Sequence, residues 1–593
     1  RIDFQEKGQP EVLPLYIGIH SFFNPPTNEN LIHDWRAPIS SMFYDYELGE
    51  AHFDAPSGEV KGNIRLKRQY RIRDGKMEFM LESSLNIQDD ILQKELSGNS
   101  DDQMKNIVAT IQREQNKIIR NDTSNTLIIQ GVAGSGKTSI ALHRVAYLLY
   151  RHKGEITSND ILIISPNKVF ADYISNVLPE LGEEKIEECG FEELMLKILD
   201  NKYKIQTFFD QVAEILDKEE EDFIERIRFK STTEFIQQMD KYILYLEQNA
   251  FRPTDLKAGR IPIPAEYLKE RFAAWHRLPM RSRFQPMAEE IARELTFTYH
   301  QEPMGKIQIR QLGNELKKMF NNKDLDLYKG FYDWLGKPEM FKQGKNRKLE
   351  YADVAPLLYL KLALEDNKTM YGIKHLLVDE MQDYTPIQYK VLAKLFPCRK
   401  TILGDAKQSV NPYSSTTCEQ IQRVLVGSEV MKLCKSYRST YEITEFAQRI
   451  AKNEELEAIE RHGEEPAVAL LPTEKKEIEW IENLITSFLK GADVSMGIIC
   501  KTVKQADKLY AAINHLSDKI CLLTEESVAF VNGVVITTAH MAKGLEFDEV
   551  IVPFVTDKDY RTEIDRSMLY VACTRAMHKL YISASGNIST FLS

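Results

Sequence analysis

Thr126-Leu-Ile-Ile-Gln-Gly-Val-Ala-Gly-Ser-Gly-Lys-Thr138 passes from a short apolar strand into a glycine-rich turn, and a helix-forming run follows. The part Gly131-Val-Ala-Gly-Ser-Gly-Lys-Thr138 has the spacing G-x-x-x-x-G-K-[ST]. Gly131, Gly134 and Gly136 let backbone N–H groups wrap a phosphate, which then rests on a helix N-terminus. Lys137 brings a point charge to the β/γ-phosphates of a nucleotide and Thr138 a hydroxyl to Mg²⁺, with Ser135 and Ser139 beside them. The bland alternative is a chance glycine turn; the strand before it and the helix after it argue against that.

Outward from this loop, short buried strands recur at Ile161–Ile164, Leu376–Val378, Thr401–Leu403, Gly497–Cys500, Val534–Thr537 and Val550–Val552. Strand, loop, helix and strand in succession predict an α/β fold with a parallel, doubly wound sheet. Between about 183 and 370 that rhythm stops. Apolar residues there fall at helical spacing, as in Ile236, Met239, Ile243 and Leu246, and the stretch reads as an inserted helical domain. Residues 1–85 look β-rich, with alternating runs Ile64–Ile72 and Lys76–Leu81 around Asp74-Gly75, a hairpin signal. Residues 89–120 read as a polar helix.

Acidic and basic residues at strand ends extend the phosphate reading. In Leu376-Leu-Val-Asp-Glu-Met-Gln-Asp383, Asp379 is placed to hold Mg²⁺ and Glu380 to activate an attacking water. Gln408, in Thr401-Ile-Leu-Gly-Asp-Ala-Lys-Gln408, is placed to sense a γ-phosphate. Lys435-Ser-Tyr-Arg438 offers Tyr437 for stacking on a base and Arg438 for the γ-phosphate, and Arg575 offers a second charge to the transferring phosphoryl group.

The 593 residues suffice for three or four domains, and 43% hydrophobic with 28% charged residues is ordinary for globular protein. Seven dispersed cysteines form no Cys-x-x-Cys pair, which speaks against a zinc or iron–sulfur site and suits a reducing cytoplasm. No stretch has the length and apolarity of a membrane span. The formal net charge of −11 disfavours non-specific DNA binding as the main activity, although a local basic groove stays compatible with it.

The ordered set of motifs resembles the superfamily 1 helicases of the UvrD/PcrA/Rep group. Glu114-Gln115-Asn116 is similar to the adenine-reading motif, with Gln115 as reader. Thr538-Ala-His-Met-Ala-Lys-Gly-Leu-Glu-Phe547 is similar to motif V, with Gly544 and Glu546 near ribose and phosphates, and Tyr570–Ala576 to motif VI. Three features depart from that group. Ser165 stands where a base-stacking phenylalanine is usual. Ser409-Val-Asn-Pro-Tyr413 follows motif III, with Pro412 in place of an arginine. About 100 residues separate Arg438 from Lys543, too few for the extra subdomain of that group.

A closer resemblance is to the HelD family of RNA polymerase-associated factors, carried by Asp34-Trp-Arg-Ala-Pro-Ile-Ser-Ser-Met-Phe-Tyr-Asp45 and by Ser165–Pro179. The long insertion and short second domain fit as well. The resemblance implies two RecA-like P-loop domains around a shared ATP and Mg²⁺ site. It further implies bacterial RNA polymerase as partner, with ATP used to remodel it, release nucleic acid and recycle stalled enzyme. It also implies that the chain starts just after a coiled-coil arm.

The expected organisation is a β-rich element at 1–100, a first RecA-like domain at 101–182 and 371–420, the insertion at 183–370 and a second RecA-like domain at 421–593, in a cytoplasmic monomer. The rivals are a UvrD-type 3′–5′ DNA helicase or translocase and a slow nucleotide-regulated binding module. Of four further features, the first two have two readings each. Asp34-Trp35-Arg36 serves a partner contact or packs as a buried tryptophan with an ion pair. Arg252, Arg260, Trp275, His276, Arg277, Arg281, Arg283 and Phe284 face nucleic acid or polymerase, or simply face water. The acidic run at 219–222 reads as a solvated helix face, and His540 as a structural or coupling residue.

Overall fold

The computed structural model describes residues 1–592 apart from 28, 74, 83–101, 166–177, 180, 219, 259–260, 299–301, 322, 367–369, 371, 412 and 525–532. Most of the run 165–179, the first part of the helix expected at 89–120, the hairpin tip at Asp74, Glu219, Arg260 and Pro412 therefore lie outside the described residues. Among those described, no helix is long and apolar enough to cross a membrane.

Two six-stranded, wholly parallel sheets form the centre. The first has the order Glu187–Cys189, Ile161–Ile164, His375–Val378, Arg399–Gly404, Thr126–Gly131, Glu429–Leu433. The second has the order Ala467–Leu471, Ala576–Ser585, Phe547–Val552, Ser495–Cys500, Gly533–Thr538, Ile520–Leu522. The inner strands are buried along their whole length, as continuous apolar runs in parallel sheets must be, because helices cover both faces.

The sheets overrun the expected boundaries at 182 and 420. Glu187–Cys189 pairs with Ile161–Ile164, and Glu429–Leu433 pairs with the P-loop strand, Val430 opposite Ile128. Both are edge strands, half exposed and of mixed polarity, so they lack the apolar run that marks their neighbours.

The N-terminal residues build an antiparallel sheet from Ile2–Glu6, Leu13–Leu15, Gly49–Ala55, Gly58–Arg73 and Lys76–Glu82, the last two forming the expected hairpin. Trp35 is buried and meets His143 of the P-loop helix Lys137–Arg151 edge-on at 5.7 Å. Asp34 and Arg36 form a two-point ion pair at 2.8 and 2.7 Å, and the Arg36 guanidinium lies 4.9 Å over Tyr150 of the same helix. The buried-tryptophan reading thus holds, and the helix it packs on carries the phosphate loop.

Residues between Phe191 and Leu364 are mainly helical. The helix Tyr351–Leu364 is buried nearly all round and packs on Pro386–Leu395, which follows the second acidic motif. The hydrophobic core of these helices is continuous with one face of the first sheet. A distal unit begins and ends at a single antiparallel bridge, Phe251 with Phe320, around the stacked rings of Phe251, Phe272 and Phe284. In the basic, aromatic stretch Arg252, His276 and Arg277 are exposed, as the solvated reading expects, whereas Trp275, Arg281, Arg283 and Phe284 correct it. Phe284 is buried, Arg283 is buried against Glu247 at 2.6 Å, Arg281 sits 2.5 Å from Asp324, and Trp275 donates to Glu290 at 2.9 Å. These cations are internal partners of carboxylates.

Candidate nucleotide site

Gly134 and Gly136 take φ of 67° and 74°, the left-handed region that side chains rarely adopt, and Lys137 then opens the helix. A Cβ on Gly136 would lie 2.0 Å from the Tyr437 hydroxyl, so this turn needs glycine for space as well as for conformation. Lys137 donates to the Val132 carbonyl at 2.9 Å, and Ser135 Oγ to the same carbonyl at 2.8 Å. Burial pulls the Lys137 ammonium below its usual range, against the pull of Asp405 and Glu380. Thr138 and Ser139 follow on the first turn, where Ser139 O accepts from His143 at 2.7 Å.

Asp379 and Glu380 close the strand His375–Val378. The Asp379 amide donates to Ile164 O at 2.9 Å, which continues the sheet, and its carboxylate accepts from the Glu380 amide at 2.8 Å. Glu380 has φ 52°, a conformation that turns its side chain away from the strand line. Burial and the adjacent Glu380 push the Asp379 carboxyl well up. Burial also pushes Glu380 up, but Lys543, Lys137 and Arg575 outweigh it and hold that carboxyl below its usual range.

A relay of hydrogen bonds joins the motifs. Gln382 donates to Glu380 at 2.7 Å and accepts from the Asp405 amide at 3.0 Å. Gln408 donates to Asp405 at 3.0 Å and accepts from Arg575. Gln408 and Arg575 come from different sheets, so this bond crosses between them. Lys543 crosses too, with both Asp383 oxygens at 2.7 Å and Glu380 at 3.8 Å. Arg438 donates to Glu546 at 2.5 Å. Gln115 reaches the Tyr437 hydroxyl at 3.4 Å, and the Tyr437 amide donates to Gly134 O at 3.1 Å.

The expected residues thus fall into groups. Asp379, Glu380, Gln408 and Arg575 lie in one relay, and Gln115, Gly134, Tyr437, Arg438 and Glu546 in another. Ser135 and Lys137 meet on the Val132 carbonyl, while Gly131, Gly136, Thr138, Ser139 and Gly544 are placed by the backbone of their loops. Gly544 supplies a φ of 81° between Lys543 and Leu545. Tyr437 is buried with its hydroxyl against the P-loop, so stacking on a base requires the ring to turn out of this position. Sequence reading missed Lys543 as the cation that meets the acidic motif; its lysine–glycine context carried the signal, but its partner emerges only in three dimensions. Asp45, which accepts from Asn116 beside Gln115, was likewise missed. His540 is buried, and burial pushes its pKa down to about 4. It lies 3.1 Å from Thr538 Oγ1 and packs on Phe209 at 5.5 Å between ring centres, which joins the helical segment to the second sheet. Tyr413, at the end of the run that departs from the helicase pattern after motif III, is covered by Arg228, 4.6 Å above its ring.

Comparison with known families places three matches along the chain. Residues 111–425 match the UvrD/REP helicase N-terminal domain, 1–98 the N-terminal domain of DNA helicase IV HelD, and 533–583 the UvrD-like helicase C-terminal domain. A protein of Acanthamoeba polyphaga mimivirus named as a candidate ATP-dependent DNA helicase is 26% identical over 282 residues, 41% of this chain and 39% of that protein. The ATP-dependent DNA helicase srs2 of Schizosaccharomyces pombe is 30% identical over 149 residues, 23% of this chain and 17% of that protein. The chain therefore spans well under half the length of either relative. The solved C-terminal domain of a possible DNA helicase from Lactobacillus plantarum is 31% identical at a TM-score of 0.23, covering 27% of this chain and 92% of that one.

Proposed function

The chain belongs to the HelD-like UvrD-family superfamily 1 helicases and hydrolyses ATP as they do, and from that premise we propose that it remodels bacterial RNA polymerase, releasing nucleic acid and recycling stalled enzyme. In this reading the two parallel sheets are the two RecA-like domains, and the helices Phe191–Leu364 are the inserted effector of a cytoplasmic monomer. The observation that carries the reading is the double attachment of those helices. They share a core with the first sheet, and Phe209 packs on His540 of the second. Relative motion of the sheets at the nucleotide site is then felt directly by the effector.

The residues fit ATP with Mg²⁺. Thr138 and Asp379 are hard oxygen donors of the kind Mg²⁺ takes, and the raised Asp379 carboxyl is suited to a divalent countercharge. Bound Mg²⁺ neutralises charge on the β- and γ-phosphates. Lys137 and the P-loop amides hold the phosphates, Gln115 faces the base, and the Tyr437 ring joins it on turning away from the P-loop. Glu380, kept ionised by Lys543, Lys137 and Arg575, takes the proton of the attacking water. Arg438 and Arg575 bring positive charge to the transferring phosphoryl group, and Gln408 ties Arg575 to the acidic motif.

The second reading, a 3′–5′ DNA helicase or translocase, is favoured by the names of the two relatives. Co-purification with bacterial RNA polymerase core, with ATPase measured with and without single-stranded DNA, separates the two. Polymerase binding that is lost when residues 252–319 are replaced by a short glycine linker, with little stimulation by DNA, is the expected result. Strong DNA stimulation without polymerase binding would make this chain a DNA motor.

A further inference from the structure

Gln115 faces the base in the ATP reading, yet its side chain is weakly held. Among the described residues its amide makes one hydrogen bond, to the Tyr437 hydroxyl at 3.4 Å. Where that amide stands is therefore set by the helix that carries it, Asp102–Ile119. One face of this helix is clamped. Arg113, Asn116 and Arg120 fall at positions i, i+3 and i+7, a single stripe. Arg113 donates to Glu47 at 2.5 Å, Asn116 Nδ2 to Asp45 Oδ1, and Arg120 to the carbonyls of Arg36 at 3.1 Å and Trp35 at 2.8 Å. Gln115 lies about 100° round the axis from Asn116, on the side of Tyr437.

The contacts differ in weight. Arg113 and Glu47 are both exposed, so water and salt screen that pair. Asn116 is buried, and its amide is filled at both ends: Oδ1 accepts from Arg120 at 3.1 Å, and Nδ2 is closed by Asp45. Asp45 ends the short helix Ser41–Asp45, and the next carbonyl, Tyr46 O, accepts from Lys67 at 2.9 Å. Lys67 is buried, with its ammonium 5.0 Å over the Phe43 ring, and belongs to the strand Gly58–Arg73 of the N-terminal sheet. A line of fixed contacts thus runs from that sheet through Lys67, Tyr46, Asp45 and Asn116 to the neighbour of Gln115. Its first members lie within the match to the HelD N-terminal domain, and its last within the UvrD/REP match.

We propose that Asp45 is the positioning residue for base recognition: by fixing Asn116 it sets the depth and angle at which Gln115 meets the base, and with them the preference for adenine. This rests on Gln115 as the reader of the base. A carboxamide matches the N6 donor and N7 acceptor of adenine, whereas guanine presents two acceptors, O6 and N7. A helix that shifts loses the two-point match, which costs ATP more than GTP, for which the match was never made.

The test uses the full chain without polymerase or nucleic acid and reads kcat/KM for ATP over kcat/KM for GTP. That ratio does not depend on how much of a preparation is folded, so a merely structural loss leaves it in place. Asp45→Ala is expected to lower the ratio roughly 3- to 10-fold through the KM for ATP, the worth of a misplaced hydrogen bond. Asp45→Asn, whose amide oxygen still accepts from Asn116, should restore it. Asn116→Ala cuts the same contact from the helix side and should match Asp45→Ala. Added to Gln115→Ala, Asp45→Ala should change the ratio no further, since both act on one contact. A ratio moved by Gln115→Ala but by neither Asp45→Ala nor Asn116→Ala overturns the proposal and leaves Asp45 a packing residue. A ratio that Gln115→Ala does not move removes Gln115 as reader of the base, and the proposal with it. ATP hydrolysis and the polymerase reading stand in both cases.

Discussion

Glu380 combines a left-handed backbone with a carboxylate held ionised among three cations. Glu380→Gln keeps the shape and removes the base, so turnover should fall by roughly 10²- to 10⁴-fold while labelled ATP still binds. Survival of the cellular function in that variant would instead favour the slow binding-module reading. His375 opens the same strand, buried, with Nε2 at 3.0 Å from Thr401 Oγ1; burial, with Arg144, Arg399 and Lys400 nearby, pulls its pKa down to about 3. Its ordinary value is near 6.5, so the unfolded chain binds the proton first. The contribution of His375 to stability is complete above pH 6.5 and is lost as pH falls towards 3, roughly 3 kcal/mol between pH 6.5 and 4. His375→Asn should cost about 1 kcal/mol at pH 7 yet flatten the acid limb in urea titrations read against the parent chain. At this scale the residues of the candidate nucleotide site were legible because a short glycine or acidic motif declares them. Lys543 and Asp45 were not, since each works on a residue far away in sequence.

Helices and strands were legible where burial is complete on both faces. The runs Ile161–Ile164 and Val534–Thr537 stand out because each residue must be apolar; Glu429–Leu433 and Ala467–Leu471 hide because one side meets water. The role of the segment around Trp35 was also hidden, since the helix it packs on lies about a hundred residues away. Trp35→Ala should destabilise the chain by about 3–5 kcal/mol, the usual cost of emptying a buried tryptophan site, with the melting curve as readout. ATP affinity should weaken with it, because the neighbouring contacts Asn116–Asp45 and Arg120 with the Trp35 and Arg36 carbonyls fix the helix that carries Gln115.

Across the whole molecule, the sequence announced two sheets and a helical interruption, while their mutual contacts rest on residues with no motif. Phe209 and His540 form one such contact, and a double-mutant cycle on Phe209→Ala and His540→Ala should return a coupling of about 0.5–1.5 kcal/mol in unfolding experiments. Additive effects would mean that the helices reach the second sheet without gripping it. The distal unit is joined differently. Its chain enters at Phe251 and leaves at Phe320, two residues that face each other across one bridge. Cα atoms so paired are about 5 Å apart, a gap that a tight turn spans. Descent with modification can therefore lengthen or exchange the tool at the end of this arm, and a protein engineer can fit a different head at the same doorway, provided the newcomer also answers Glu247 and Asp324, which Arg283 and Arg281 now hold.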